Sequence, residues 1–133
     1  MSQENVEVVR SGMAALAAGD WQRVFETWDA EVEWDFEREA VLSGVYRGRS
    51  EVRAALVSFM TEWEDFAFAI EDLIAADDGR VVVLVHLTGR GRHSGVPLDF
   101  RETMIWTIRG GRVVHVKEYY DRTKALEAVG LSD

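Results

Sequence analysis

The chain has 133 residues, with 15 Lys and Arg against 24 Asp and Glu, a formal net charge of −9. That length suits one domain over residues 1–133, and the acidity argues against a nucleic-acid surface, which needs a basic face. The absence of Cys removes disulfides, thiolate zinc sites and thiol catalysis. No apolar run nears the ~20 residues of a membrane span, and MSQENVEVVR lacks the basic and apolar regions of a signal peptide, so a cytoplasmic protein is expected.

In chain order, residues 3–18 predict a helix, with Val6, Val9, Met13 and Leu16 at helical spacing, Ser2 as its cap and Gly19 as its stop. Asp20 caps a second helix that carries Trp21, Val24, Phe25 and Trp28 on one face. Residues 31–36 alternate, which puts Val32, Trp34 and Phe36 on one side of a strand. A glycine-marked loop, Gly44-Val45-Tyr46-Arg47-Gly48, precedes a third helix capped by Ser50 and carrying Val52, Leu56, Phe59, Met60 and Trp63.

Sheet follows. Residues 66–76 open with Phe66, Phe68 and Ile70 on one face, and the alternation slips at Glu71-Asp72, the signature of a bulge. Asp78-Gly79 signals a hairpin. The run Val81 to Thr88 is almost wholly apolar, as for a strand covered on both faces. After a loop with Gly89, Gly91, Gly95 and Pro97, strand 98–108 turns at Gly110-Gly111 into strand 112–120. Ala125, Leu126 and Val129 mark a last short helix stopped by Gly130. Helices segregated from an antiparallel meander give an α+β fold, with a conical space between helices and bent sheet suited to a ligand.

Three segments in this order resemble the SnoaL-like (polyketide cyclase-like) group of the nuclear transport factor 2-like superfamily. They are Ala18-Gly19-Asp20-Trp21 with Trp28-Asp29-Ala30-Glu31-Val32-Glu33-Trp34, then Gly44-Val45-Tyr46-Arg47-Gly48, then Gly111-Arg112-Val113-Val114 with Glu118-Tyr119-Tyr120-Asp121 and Ala125-Leu126-Glu127-Ala128-Val129-Gly130-Leu131. The resemblance implies a cone of three N-terminal helices on a strongly curved, mainly antiparallel sheet enclosing a pocket. It also implies chemistry without cofactor or metal, and a homodimer through the sheet face. Function does not follow from fold.

Ketosteroid isomerase pairs an Asp base with an oxyanion hole of Tyr and protonated Asp, an arrangement that serves as a standard illustration of pKa tuning. Its Tyr falls at Gly12 here, its base at Trp34 and its second Asp near Thr103 or Met104, so that activity is not expected. Limonene epoxide hydrolase has an Arg-x-Asp pair that residues 84–90 lack, although Asp121 matches its final Asp. The SnoaL-type cyclases use an Asp at that same position with a pocket His. This points to Asp121 as acid/base, with His86 or Tyr119 assisting.

Each candidate also has a plainer explanation. Asp121 suits the N-cap of the last helix, His86 suits a satisfied core histidine, and Arg90 suits a solvated surface. Arg90 otherwise suits a clamp on an anionic substrate group. His93 suits a solvated loop, and the three histidines lack metal-site spacing. Trp28, Trp34, Phe59, Trp63 and Trp106 are the candidate cavity wall. The meander's outward face, with Ile105 and Thr107, is the candidate dimer surface. Two functions stay open: proton-transfer (cyclase- or isomerase-type) chemistry on a small apolar carbonyl-bearing metabolite, and a non-catalytic ligand-binding or interaction domain.

Overall fold

The computed structural model describes residues 2–36, 44–77 and 79–131. Helix α1 (Ser2–Ala18) buries Val9, Met13 and Leu16, the stripe expected from their spacing. Gly19, at φ +69°, ends it, and the amides of Gly19 and Asp20 bond back to the carbonyls of Leu16 and Ala15. Asp20 accepts from the Arg23 amide at 3.3 Å and caps α2 (Trp21–Thr27). That helix stops a residue before Trp28, which is already extended and opens β1 (Trp28–Phe36).

Gly44–Arg47, expected as a loop, is a short edge strand, β2, paired antiparallel to β1 with Trp34 opposite Tyr46. Ser50 is not the cap of α3 (Arg49–Met60). The helix begins two residues earlier, at a Gly48 cap with φ +85° and no side-chain bond, and Gly48 donates to the Val32 carbonyl at 2.7 Å. A turn that needs left-handed backbone displaces the side-chain cap.

Strands β3 (Trp63–Asp77), β4 (Arg80–Gly91), β5 (Pro97–Arg109) and β6 (Arg112–Tyr119) form the expected meander. With β1 and β2 they make one curved sheet, not closed into a barrel, in the order β2-β1-β6-β5-β4-β3, in which only the β1–β6 pair is parallel. The bulge is where the alternation slips, between Ile70 and Asp72, and it lets Leu73 rejoin the face of Phe66, Phe68 and Ile70. In the β3–β4 turn, Asp78 lies outside the described residues. Gly79 has φ +114°, and a Cβ there would sit 2.9 Å from the Ile108 carbonyl oxygen. Gly110 and Gly111 both have positive φ, as a two-residue hairpin requires.

One sheet face is concave and packs on α1, α2 and α3 around Val9, Val24, Trp28, Val52 and Trp106. Strand β4 is covered on both sides near its start, because Val81, Val83 and Val85 face the helices while Val82 faces α4 (Arg122–Ala128). Ala125 and Leu126 of α4, with Val129 just beyond it, cover Val82 and Ile105. This corrects the reading of Ile105 as part of an open dimer surface: it is 5% exposed within its own chain. Among the described residues, no helix is long and apolar enough to cross a membrane.

Candidate functional site

Between α1, α3 and the concave sheet lies a cavity of about 330 Å³. Met13 and Leu16 of α1 and Leu56, Phe59 and Met60 of α3 form one side. Phe66, Phe68, Val85 and Leu87 form another, and Trp34 and Phe36 close the end. The rings contact in series. Phe59 meets Phe66 edge-on at 5.8 Å, Phe66 meets Phe68 at 6.2 Å, and Trp34 stacks on Phe36 at 6.2 Å. Phe100 and Tyr120 make a further T-shaped pair at 5.1 Å.

Glu102 and Glu118, with Asp99 and Tyr120, break this apolar lining. Glu102 on β5 and Glu118 on β6 project from the concave face. Met104 stands opposite Glu118, so Glu102 is its diagonal neighbour, within reach for long side chains. The two carboxyl groups are hydrogen-bonded to each other, which requires a proton between them. On the far side, the Trp34 indole Nε1–H donates to Glu118 Oε2 at 2.6 Å in a buried contact.

Burial is the main reason Glu118 is pushed well above the ordinary carboxylate range, reinforced by the negative charge of Glu102 and opposed by the Trp34 bond. Burial likewise lifts Glu102, to about 7, while its bond from Glu118 works the other way. Burial thus favours a state in which at least one of the two acids holds the proton of the shared hydrogen bond. As pH rises past about 7 the pair comes to carry one negative charge, in the manner of two acids that cannot both ionise side by side.

The residues singled out in the sequence separate. Trp34 and Phe59 line the cavity. Trp28 and Trp106 are fully buried behind it, each ring 5.8 Å from that of Trp34, and Trp63 stands 6.1 Å from Phe59 on the side away from the lining. Trp106 also explains Gly12, since a Cβ there would come within 3.3 Å of its ring. No tyrosine fits at that position without displacing the tryptophan.

His86 alternates with Val85 and Leu87, so it points to the outer face, where its Nε2 lies 2.5 Å from Asp99 Oδ1. That bond holds the Asp99 carboxyl below its usual range. Tyr119 is on the outer face too, beneath Lys117 at 5.3 Å and against the α4 cluster. Arg90 is exposed on the side of His86. Asp121 is exposed and accepts from the Thr123 amide at 2.9 Å, the helix cap of α4. None of His86, Tyr119, Arg90 or Asp121 is among the lining residues.

The sequence reading missed Glu102 and Glu118. The signal was parity. Glu102 shares its face with Met104, Trp106 and Ile108, and Glu118 shares its face with Val116, so each Glu occupies a slot where the strand is otherwise apolar.

A SnoaL-like domain profile matches residues 9–116. The chain belongs to the SnoaL-like family. The uncharacterised protein Rv0034 of Mycobacterium tuberculosis is 30% identical over 125 residues, 93% of this chain and 94% of the relative. Among solved structures, a nuclear transport factor 2-like protein of Burkholderia xenovorans is 26% identical and superposes with a TM-score of 0.77 over 97% of both chains. Rv0760c of M. tuberculosis, solved in complex with estradiol-17β-hemisuccinate, shares the fold at 11% identity, with a TM-score of 0.74 over 90% of this chain and 95% of that one. The SnoaL-like chain is thus a member of the nuclear transport factor 2-like superfamily, the fold its segment order suggested.

Proposed function

We propose that this SnoaL-like protein binds a small apolar, carbonyl-bearing metabolite in the concave cavity and moves a proton on it with the Glu102–Glu118 pair. The observation that carries the reading is a proton-sharing pair of acids in an aromatic enclosure. An acid whose pKa lies near the working pH transfers protons well in both directions, and Glu102 is lifted to about 7. The steroid-derived ligand held by Rv0760c supports a cavity of this fold as a place for such molecules.

In the proposed step, on a ligand with a C=C at the β,γ position to its carbonyl, the Glu102 carboxylate takes a proton from the α-carbon between the two groups and leaves a dienolate. It then returns the proton to another carbon of the same molecule, so the sum is an isomerisation with no co-reactant. Glu118 donates its O–H to Glu102 throughout, and Trp34 holds Glu118.

Two measurements test this. A thermal-shift screen against cyclic ketones, lactones and aromatic carbonyl compounds is expected to give hits, since a ligand at 100 times its Kd stabilises by about 2.7 kcal/mol. Hits are then incubated in D2O and followed by mass spectrometry. Deuterium uptake is expected with wild type, with loss of about a hundredfold or more in Glu102→Gln. Binding with no uptake above the buffer rate would refute the proton transfer and leave a carrier, and a flat screen would refute the cavity as the ligand site.

A further inference from the structure

We propose that the cavity selects a ligand bearing a positive charge, a hydrophobic protonated amine or quaternary ammonium, over a neutral or anionic compound of the same shape. This rests on the reading of the cavity as the ligand site. It narrows the ligand from carbonyl compounds at large to those that also carry a basic nitrogen.

The argument is a charge balance. The titratable residues of the described lining are Glu102, Glu118, Asp99 and Tyr120, with the Asp99 carboxyl turned to His86 on the outer face; α1, α3, β1, β3 and β4 contribute none, and no Lys, Arg or His is among the described lining residues. On the outer face Arg101 is engaged with Glu71 and Lys117 with Asp35. Among the described lining residues the charge of the acid pair therefore has no counter-ion in an apolar enclosure, an arrangement that is costly until a cation or a proton supplies one.

The walls suit the same ligand. The faces of aromatic rings attract cations, most strongly where water is excluded, and Trp34, Phe36, Phe66 and Phe68 line the same cavity as the acids. A net charge of −9 adds long-range attraction for a cation and repulsion for an anion. A protonated nitrogen in the ligand also acidifies the C–H beside its carbonyl and stabilises the enolate, so recognition and the proposed proton transfer act together.

Three probes on one skeleton isolate the charge: 4-phenylbutan-2-amine, 4-phenylbutan-2-one and 4-phenylbutanoate. Binding is measured by calorimetry to wild type and Glu102→Gln, at about pH 8, where Glu102 is mostly ionised, and about pH 5.5, where the pair holds both protons. The amine is expected to bind at least about tenfold more tightly than the ketone at the higher pH, with the acid weakest. That preference should shrink at the lower pH and in the variant. A ketone or acid that matches the amine in wild type, or a preference unchanged by both pH and Glu102→Gln, overturns the charge selectivity while the cavity reading stands. Binding of none of the three overturns both.

Discussion

Replacing Glu102 by Gln should change how stability depends on pH more than it changes stability itself. A carboxyl raised in the folded state keeps its proton where the unfolded chain has lost it, so the folded state binds more protons and stability falls as pH rises. For Glu102 this window runs from the ordinary value of 4.5 up to about 7. At about 1.4 kcal/mol per pH unit, the linked loss amounts to about 3 kcal/mol. Asp99 and Asp77 are lowered by His86 and Arg80; their stabilisation is present above the unfolded value and is lost as pH falls. Both are retained in the variant, so their effect cancels in the comparison, while Glu118 loses the Glu102 charge that raises it, which adds to the variant's gain. Urea unfolding followed by tryptophan fluorescence from about pH 4 to pH 8 measures the difference. Glu102→Gln should gain about 3 kcal/mol relative to wild type across that range. Parallel curves, within about 0.5 kcal/mol, would refute the reasoning and show Glu102 titrating like a solvated acid.

Other substitutions probe single contacts. Trp34→Phe removes the indole donor to Glu118 and should cost about 1–3 kcal/mol in chemical denaturation, the cost of stranding a buried acceptor. Asp121→Ala removes the α4 cap and should cost about 1 kcal/mol; by thermal shift it should leave ligand-induced stabilisation intact, whereas lost ligand response would return Asp121 to the site. Gly79→Ala forces a side chain into a backbone with φ +114° and against the Ile108 carbonyl, and should lower stability by more than about 1 kcal/mol in the same assay.

Much of the fold was legible because local rules and tertiary packing agree. Asp20 and Asp121 cap, Gly19 and Gly130 stop, and the slip at Glu71-Asp72 is a bulge in the structure. Where one short segment had two options, the reading failed. Gly44–Arg47 has turn-like glycines but gains edge pairing with β1, and Ser50 is a good cap that Gly48 pre-empts through its bond to Val32. The site was less legible for a different reason. Parity within one strand does not reveal which face is concave, so the family's pocket His and Asp drew attention to His86 and Asp121. The structure turns His86 to the outer face and Asp121 into a helix cap. The second acid of the isomerases was looked for near Thr103 or Met104, while the cavity carboxyl is Glu102 on the same strand, a shift that reverses the face for Thr103. The neighbour that makes Glu102 unusual, Glu118, lies on the adjacent strand and becomes visible only with the β5–β6 register.

The central claim is that the cavity holds two coupled acids that share one proton once pH exceeds about 7, and carboxyl carbon NMR tests it most directly. Protein labelled with 13C at the glutamate carboxyl is titrated from about pH 3 to pH 10, with Glu102→Gln and Glu118→Gln to assign the two signals. The account predicts one glutamate titrating near 7 and a second still protonated above that, with each variant changing the titration of the remaining partner. If every glutamate signal moves together in the ordinary range near 4.3, and neither variant alters another residue's titration, the pair is not coupled and the proposed proton chemistry is wrong.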